Sequence, residues 1–370
     1  MRRILFLITT LDVGGAEIML HRVLSRLDPR RFETTVVSLA PHGEIADRIA
    51  SLGIGVTCLG MRSPAHSFQL LNAWRIAREF NPDIIHGWLL HGSLLSSVIG
   101  RGLHRGVKVA WGIHYSLNDV GRKGVSGPLL RVGKYLAATA DCIVYCSERS
   151  ATQHAAIGYP STQAVVIPNG FDCDHFRPEP TVRESWRASM GISESVPVIG
   201  LIARYDPAKD LGTFLRAAAI TSQRFKELRF VIAGNKMPEH VTDEVLREHG
   251  LQQCVSVLGQ TPEPRQIYRA LDIATLASST EGFPNVIGEA MACGVPCVVT
   301  DVGDCALLVG DTGSVVRPGE PAALADAWTK LLTMTEGGRK ALGEAARERI
   351  LGRFSIDSVV RRYAEVYDAL

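Results

Sequence analysis

The sequence predicts an α/β fold made of two consecutive Rossmann-like halves. Short apolar runs with strand-like composition alternate with amphipathic helical windows along almost all of the 370 residues, which is typical of βαβ units and parallel sheets. The alternation is interrupted once, by a cluster of Pro, Gly and Asn that begins at Pro168, and then restarts. A chain of this length also favours two domains over one.

Seven strands are predicted in the first half. They are Ile4–Thr9, Thr35–Leu39, Gly55–Leu59, Asp83–His86, Lys108–Ile113, Cys142–Cys146 and Ala164–Ile167. Helical windows lie between them, for example Ala16–Leu27 and Gln69–Phe80. The Pro/Gly/Asn cluster that follows, with further prolines at Pro178 and Pro180, is the expected interdomain linker.

The second half is predicted to hold six strands and to end in helices alone. The strands are Val198–Ala203, Arg229–Ala233, Cys254–Leu258, Ile273–Ala277, Pro296–Val299 and Ser314–Val316, and the final helices are Pro321–Thr333, Arg339–Leu351 and Ile356–Ala369. We therefore expect an N-terminal domain over residues 1–168, a linker over 169–180, a C-terminal domain over 181–354 and a last helical segment over 355–370.

Charge is distributed unevenly between the halves. Residues 1–170 carry 18 Lys and Arg against 11 Asp and Glu, whereas residues 171–370 carry 22 against 27. A basic half suggests an anionic partner, such as a membrane surface or a phosphorylated acceptor. Surface charge without a function explains the same numbers.

Several classes of protein are disfavoured. The eight cysteines form no CxxC pair, so a zinc site is not expected, and they suit a reducing, cytoplasmic compartment. The N-terminal MRRILFLITT resembles the start of a signal peptide, but Asp12, Gly14 and Gly15 follow where a cleavage site is expected, so we interpret it as a buried strand. No uncharged apolar run reaches about 18 residues, the length that spans a bilayer.

The stretch from Thr280 to Pro296, TEGFPNVIGEAMACGVP, is the strongest candidate site. It follows a predicted strand and contains Glu281 in a Gly-Phe-Pro-Asn turn and Glu289 just inside a predicted helix. The N-terminus of a helix offers unpaired N–H groups and a positive dipole end. Both glutamates should therefore lie at the carboxyl end of a sheet, where open α/β sheets bind ligands.

Four weaker features accompany this stretch. Gly14 and Gly15 precede the first helix, where a backbone can approach a ligand closely, although a plain tight turn explains them as well. Arg204 and Lys209 follow the first strand of the second half and can neutralise a diphosphate, although surface cations are common. The other two features are His114, at the end of a strand, and the linker sequence Asn169-Gly170-Phe171-Asp172.

Two motifs that would indicate other chemistry are absent or misplaced. No GxGxxG follows the first strand of either half, which disfavours a dinucleotide-dependent oxidoreductase. Asp172-Cys173-Asp174 has the form of a metal-binding DxD, but it lies in the Pro/Gly-rich linker and not at a strand end. We therefore expect no metal site there.

Together these motifs resemble glycosyltransferase family 4, a group of retaining nucleotide-sugar transferases with the GT-B fold. The matching pieces are Gly14 and Gly15, His114, IPNGFDCDHFRP, ARYDPAKD, and EGFPNVIGE with its two glutamates. The resemblance covers essentially the whole chain and is most specific from Ile199 to Gly313. It implies two Rossmann-like domains facing across a cleft, with the last helix crossing back to the first domain. That domain would bind the acceptor and the second the donor.

The resemblance also implies a role for each matching residue. Glu281 resembles the glutamate that contacts the transferred sugar, Glu289 the one that holds the ribose hydroxyls, and His114 a residue that hydrogen-bonds the sugar. The diphosphate would be bound by Arg204, Lys209, Gly14 and Gly15. Backbone contacts to sugar and phosphates would come from Phe283, Asn285, Val286 and Ile287, and contacts to the base from Gln260, Thr261 and Pro262.

The implied activity is transfer of a sugar, from a UDP-sugar by default, to a hydroxyl of a glycan or lipid-linked acceptor in cell-envelope polysaccharide or glycolipid synthesis. The cations and the helix N-terminus stabilise the leaving phosphate electrostatically, so neither a cofactor nor a metal is expected. Retention in this family is attributed to front-side attack, which leaves Glu281 to orient and stabilise charge. A GT-B nucleotide-sugar epimerase and a non-catalytic nucleotide-sugar-binding protein are the alternatives, and no nucleic-acid partner is expected.

A membrane contact is a further hypothesis. The segment 121–138 mixes cations with apolar side chains, namely Arg122, Lys123, Arg131 and Lys134 with Leu129, Leu130, Val132 and Leu136. Such a segment can lie against anionic headgroups on the inner face of the cytoplasmic membrane. A solvated helix packed on the sheet is an equally good interpretation.

Overall fold

The chain forms two compact units. The structure is a computed structural model and describes residues 1–103, 106–117 and 127–370. Unit 1 comprises Met1–Gly170 and Ile356–Leu370, and unit 2 comprises Phe171–Ser355. Of the expected linker, Asn169 and Gly170 therefore belong to unit 1 and residues 171–180 to unit 2.

Unit 1 is a parallel sheet with helices on both faces. Its strands are β1 Arg2–Ile8, β2 Phe32–Ser38, β3 Gly55–Cys58, β4 Ile84–Trp88, β5 Lys108–Ile113, β6 Cys142–Tyr145 and β7 Ala164–Val166. Its helices are α1 Gly15–Arg26, α2 Glu44–Ala50, α3 Gln69–Phe80, α4 Leu89–Gly102, α5 Gly127–Ala137, α6 Glu148–Ala156 and, from the end of the chain, α16 Ile356–Ala369. The strand order is β3-β2-β1-β4-β5-β6-β7.

Unit 2 repeats this arrangement with six strands. They are β8 Val198–Ile202, β9 Arg229–Ala233, β10 Val255–Leu258, β11 Ile273–Leu276, β12 Cys297–Thr300 and β13 Gly313–Val316, in the order β10-β9-β8-β11-β12-β13. The helices are α7 Pro180–Ser189, α8 Leu211–Arg224, α9 Met237–His240, α10 Asp243–Glu248, α11 Pro264–Ala270, α12 Asn285–Ala292, α13 Cys305–Val309, α14 Pro321–Thr333 and α15 Glu336–Arg353.

The predicted fold class is confirmed. Every strand predicted from the sequence is present, and all recorded strand pairs in both sheets are parallel. The helix predicted over Arg339–Leu351 is longer than expected, because the hydroxyl of Thr335 accepts a hydrogen bond from Gly338 N (3.1 Å) and caps it at Glu336. No helix in the described ranges is long and apolar enough to cross a membrane.

Each sheet has a point where the direction of strand addition reverses. In unit 1 this point lies between β1 and β4, and in unit 2 between β8 and β11. The loops that leave neighbouring strands at such a point diverge and open a crevice at the carboxyl edge of the sheet. The loops after β8 and β11 hold Lys209 and Glu281 respectively, so the topology brings these two predicted residues to the same edge.

The last helix completes the core of unit 1. One face of α16 is buried with side chains of β1, β4 and α1 in one apolar cluster, and it consists of Ile356, Val359, Val360, Tyr363, Ala364 and Tyr367. Arg2 Nη1 donates to the carbonyl of Tyr367 (2.6 Å), and Arg31 pairs with Asp368 (2.5 Å). The helix therefore belongs to unit 1, although it follows unit 2 in the sequence.

The connection at Phe171 is fixed inside unit 2 by packing. Phe171 N donates to Phe354 O (2.8 Å), and Phe171 forms a β-bridge with Ser355, so the segments that enter and leave unit 2 are neighbours. The buried Phe171 ring lies against α12, where a Cβ on Gly288 would come within 1.9 Å of its Cζ atom. A glycine is therefore needed at residue 288 to seat Phe171.

We predict that Gly288→Ala destabilises unit 2 by about 1–3 kcal/mol, because overpacking of a closed core has costs of this size. The free energy of unfolding from urea titration, followed by tryptophan fluorescence, measures the effect. Gly337→Ala is the matched control: residue 337 also lies in a helix, and a Cβ there meets nothing within 4 Å. Equal stability of the two variants would contradict the packing argument.

Candidate nucleotide-sugar site

The residues predicted for the site divide between the units. Gly14, Gly15 and His114 belong to unit 1. The remainder belong to unit 2, where they follow β8, β10 and β11: Arg204, Lys209, Gln260, Thr261, Pro262, Glu281, Phe283, Asn285, Val286, Ile287 and Glu289.

The stretch Thr280–Pro296 has the predicted strand–turn–helix form. Strand β11 ends at Leu276, a turn containing Glu281 follows, and α12 begins at Asn285 after Pro284. The residue before the helix, Pro284, offers no side-chain cap, and no acidic residue lies in the first turn of α12. The first turn of α12 therefore carries no carboxylate of its own, and its positive dipole end favours an anion.

Glu281 is held by two side chains. Its Oε1 atom accepts from Lys209 Nζ (2.5 Å) and from Ser278 Oγ (2.7 Å). The side chains of Glu281 and Lys209 are only 11% and 22% exposed, so this ion pair is largely shielded from solvent. Charges interact more strongly in such surroundings than in water. Lys209, which the sequence assigned to the diphosphate, is thus also the counter-ion of the glutamate assigned to the sugar.

The loop after β8 positions both predicted cations. Asp206 Oδ1 accepts from Ala208 N (2.9 Å) and caps the turn Pro207–Lys209. Arg204 Nη2 lies 3.8 Å from Asp206 Oδ2. The Arg204 side chain is 55% exposed, so its charge is available to a ligand. The loop lies close to the end of β9, because Gly234 has φ +145 and a Cβ there would be 1.9 Å from Ala203 O.

Glu289 lies on α12 and is paired with a tyrosine. Tyr268 of α11 is buried, and its hydroxyl donates to Glu289 Oε2 (3.0 Å). The bond fixes the direction of the carboxylate, which can accept further hydrogen bonds from a vicinal diol such as a ribose.

Phe283 anchors the turn through its side chain. Its ring is buried between Phe171 and Phe354, with centroid distances of 6.3 Å to each. On the other side of the turn, Gly303 approaches so closely that a Cβ would lie 2.7 Å from Glu281 O. The backbone around Glu281 is therefore held from both sides.

The loop predicted to contact a base is open. Gln260 and Pro262 are exposed, and Thr261 Oγ1 accepts from Glu263 N (3.1 Å). Nearby, the rings of Tyr205 and His240 stack with a centroid distance of 3.4 Å and an interplanar angle of 8°. Contacts of Gln260, Thr261 and Pro262 with a base stay a prediction.

The N-terminus of α1 in unit 1 differs from the simplest expectation. Gly14 precedes the helix and Gly15 begins it, as the sequence suggested. However, the buried Glu17 turns back over this end, so that its Oε2 atom would lie 2.3 Å from a Cβ on Gly14. A carboxylate satisfies a helix N-terminus well. The Glu17 carboxylate therefore competes with a diphosphate for this helix end.

His114 lies at the carboxyl end of β5, as predicted, in a tightly packed place. Its ring stacks on Trp88 with a centroid distance of 4.1 Å. Burial lowers the pKa of His114 to about 3, although the facing Asn169 side chain opposes part of this. Neither ring nitrogen has a hydrogen-bond partner of normal geometry among the described residues. His114 is therefore a neutral imidazole at physiological pH.

The Asp172-Cys173-Asp174 segment has a structural use. Asp172 Oδ1 accepts from Asp174 N (3.1 Å) and His175 N (3.0 Å), which closes a turn. Within residues 1–103, 106–117 and 127–370, no group of three His, Cys, Asp or Glu side chains is placed to hold a metal.

Sequence reasoning missed three partners of the site: Ser278, Tyr268 and Glu17. Ser278 could have been found, because it lies three residues before Glu281 at the end of the same strand. Tyr268 had no signal, since its contact with Glu289 depends on how α11 packs against α12. Glu17 directly follows Gly14, Gly15 and Ala16 in the sequence, but the sequence did not show that its side chain turns back toward Gly14.

Two family models match the chain, one over each half. The model of Glycosyltransferase Family 4 matches residues 13–175, and that of Glycosyl transferases group 1 matches residues 196–334. The D-inositol 3-phosphate glycosyltransferase of Corynebacterium urealyticum is 31% identical over 227 residues, which are 58% of this chain and 53% of that protein. The putative glycosyltransferase EpsF of Bacillus subtilis is 24% identical over 313 residues, which are 81% of this chain and 79% of that protein. The chain thus spans about half the length of the inositol-phosphate relative.

The fold has solved counterparts. The crystal structure of Anabaena HepE in complex with UDP matches with a TM-score of 0.88 at 23% identity and covers 100% of both chains. At this identity the likeness shows the fold, which is GT-B with two Rossmann-like domains. The chain belongs to the glycosyltransferases of this fold, with a family 4 domain in its first half and a group 1 domain in its second.

We predict that unit 1 loses stability as the pH falls from 7 to 5. Burial lowers the pKa of His86 and His114 to about 3 and that of His154 to about 4. Below pH 6.5 the unfolded chain therefore binds protons that the folded state does not, which costs about 1–2 kcal/mol per histidine at pH 5. Scanning calorimetry at the two pH values measures this, and a melting temperature that is unchanged or higher at pH 5 would contradict it.

Proposed function

We propose that this protein is a retaining glycosyltransferase that moves a sugar from a UDP-sugar to a hydroxyl of a glycan or lipid-linked acceptor. The Glu281–Lys209 pair carries the proposal, with Glu281 on the turn that leads into the N-terminus of α12. It joins a carboxylate that suits sugar hydroxyls to a cation that suits a diphosphate, at the strand-order reversal of unit 2. HepE, the structural neighbour, has been crystallised with UDP and with UDP-glucose, which supports the choice of nucleotide.

Donor recognition follows from the positions in unit 2. Arg204 and Lys209 bind the diphosphate, whose charge is also favoured by the dipole of α12 and the backbone of Asn285, Val286 and Ile287. Glu289, oriented by Tyr268, accepts hydrogen bonds from the ribose hydroxyls. Gly14, Gly15 and His114 of unit 1 are assigned to the same donor by the family resemblance.

The chemistry is proposed to proceed by front-side attack without a metal. The bond from the anomeric carbon to the diphosphate oxygen breaks, and the acceptor oxygen forms its bond on the same face of the sugar. The acceptor proton passes to an oxygen of the departing diphosphate. Lys209 and Arg204 stabilise the charge that grows on this leaving group, which is electrostatic catalysis by preorganised groups. Glu281 orients the sugar and compensates positive charge on its ring.

Two other functions fit the fold. An epimerase would release a nucleotide bound to an altered sugar and would need no acceptor, and a binding protein would leave the donor intact. A transferase, an epimerase and a binding protein would all bind the nucleotide sugar in the same pocket, so binding measurements alone do not separate them. The test must therefore follow what happens to the sugar.

The proposal is tested by incubating the protein with UDP-, GDP- and ADP-sugars and reading products by mass spectrometry. We expect slow hydrolysis or transfer from a UDP-sugar, with release of UDP. Glu281→Gln should lower turnover at least about 100-fold, as loss of one electrostatic group at a reacting centre does. It should not weaken UDP binding, because it frees Lys209 for the diphosphate.

Glu289→Gln is the matched control, since it makes the same change eight residues away. It should weaken UDP about tenfold, the size of a lost hydrogen bond to a charged group. Calorimetric titration with UDP separates the two variants. Near-wild-type turnover of Glu281→Gln would overturn the assigned role of this residue, and isomerised donor with no UDP released would indicate an epimerase.

We also propose that unit 1 lies against an anionic membrane surface, on the cytoplasmic side, during synthesis of an envelope glycan or glycolipid. Helices α3, α4, α5 and α6 pack on one face of its sheet and carry six Lys and Arg against two Asp and Glu. Helices α1, α2 and α16 on the other face carry five Lys and Arg against six Asp and Glu. Only the first layer combines this charge with exposed apolar side chains on its helices, namely Leu71, Val98, Val132 and Tyr135.

Leu71 and Tyr135 are 72% and 74% exposed, which suits insertion among headgroups while the cations contact anionic lipid. Arg131 and Lys134 of the segment proposed from the sequence are part of this layer. Arg122 and Lys123 lie outside the described residues.

Flotation with vesicles containing anionic phosphatidylglycerol should recover the protein at low salt and lose it at high salt. Arg78→Glu with Arg131→Glu should weaken this binding at least about tenfold, because each basic residue near the surface contributes about 1 kcal/mol. Arg30→Glu with Arg361→Glu changes the net charge equally, away from the basic layer, and should bind like the wild type. Salt-independent recovery, or equal loss in both pairs, would contradict this surface.

A further inference from the structure

A cluster of aromatic and histidine side chains lies beneath the last helix of unit 1. His86 and Trp88 of β4 point to the same side of the sheet, where Tyr363 and Tyr367 of α16 cover them. All four residues are fully buried. His114 joins the cluster by stacking on Trp88. The helix that closes the core of unit 1 is therefore in contact with the surroundings of a proposed donor-binding residue.

Tyr367 determines the protonation pattern of His86. The Tyr367 hydroxyl lies 2.8 Å from His86 Nδ1. If the hydroxyl accepted from Nδ1, its own proton would be left without an acceptor in a buried place, whereas a proton on His86 Nε2 faces His114 Nε2 across Gly112. The hydroxyl therefore donates to Nδ1. Because His86 is neutral, its single proton then lies on Nε2.

The Nε2 atoms of the two histidines face one small space above Gly112. A Cβ on Gly112 would lie 3.1 Å from His114 Nε2 and 3.2 Å from His86 Nε2. Neither nitrogen has a hydrogen-bond partner among the described residues. Inside a core, the N–H dipole of His86 favours a lone pair on the atom opposite. The neutral His114 ring then carries its proton on Nδ1.

We propose that Tyr367 and His86 are positioning residues for His114, which set its tautomer and ring direction through the space above Gly112. The consequence is that the proton of the neutral His114 ring lies on Nδ1, which is buried in the protein without ligand and is the donor that His114 offers once a sugar hydroxyl reaches the ring. This inference rests on the proposed function for the role of His114, but the coupling itself is a property of the protein without ligand. Burial lowers the pKa of both rings, and His114 lowers that of His86 further, so both imidazoles are neutral throughout the physiological range.

The test compares Tyr367→Phe with Tyr363→Phe. Both residues are fully buried on the same helix and lose the same hydroxyl, but the Tyr363 hydroxyl has no partner among the described side chains. The first readout is the ¹⁵N spectrum of histidine-labelled protein without ligand, with the His114 signals assigned from His114→Gln. The second is kcat and KM with a UDP-sugar, and the third is the melting temperature.

We expect Tyr367→Phe to move the His114 ¹⁵N signals toward the other tautomer and to lower kcat about tenfold with KM within about twofold, as loss of an outer hydrogen-bond partner of histidine does. Tyr363→Phe should leave all of these near wild type. Equal effects in both variants, or a fall in kcat without a change in the His114 signals, would overturn the proposal.

A second variant covers the case in which Tyr367→Phe folds poorly. Gly112→Ala places a methyl group against both Nε2 atoms and should shift the ¹⁵N signals of His86 and His114 together, whereas a shift of neither would overturn the coupling. If no sugar transfer is found with any donor, the proposed function fails, and the ¹⁵N spectra still decide whether Tyr367 controls His114.

Discussion

The candidate site depends on one constraint: parallel strands end at a common edge, and the strand order decides which loops meet there. Lys209 and Glu281 are 72 residues apart in the chain and form an ion pair because β8 and β11 are neighbours in the sheet of unit 2. The crossover helices that make the strands parallel also supply the N-terminus of α12, which has no acidic residue in its first turn. A cation, a carboxylate and a helix dipole are thus concentrated within a few residues of the point where the strand order reverses.

Much of this arrangement was predictable from the sequence, and the reason is periodicity. Alternating apolar runs and helical windows predicted every strand of both sheets, and the Gly-Phe-Pro-Asn turn located the start of α12. What the sequence could not supply was pairing between elements. It separated Glu281 and Lys209 into a sugar ligand and a phosphate ligand, whereas the structure makes each the partner of the other. Tyr268 escaped for the same reason, because its contact with Glu289 depends on how α11 packs against α12. Glu17 lies only three residues after Gly14, but the sequence did not show that its side chain turns back toward that glycine.

Some residues of the shared motifs act through packing. The sequence singled out Asn169-Gly170-Phe171-Asp172 and EGFPNVIGE as two separate signals. In unit 2 these two motifs are in contact with each other. The Phe171 ring fills the space that a side chain on residue 288 would need, and it also packs on Phe283. The turn that carries Glu281 is therefore supported by a residue 110 positions earlier. Such support can hold a candidate site residue in place without touching a ligand.

The discontinuity of unit 1 has a consequence for synthesis of the chain. Unit 2 is one continuous segment whose first and last residues are paired through Phe171 and Ser355, so it can fold as soon as it has left the ribosome. Unit 1 lacks α16 until then, and the apolar side chains of β1 and β4 that this helix covers stay exposed while about half of the chain is still being made. Those side chains are a natural binding place for a chaperone, and the time for which they are exposed is set by the length of unit 2.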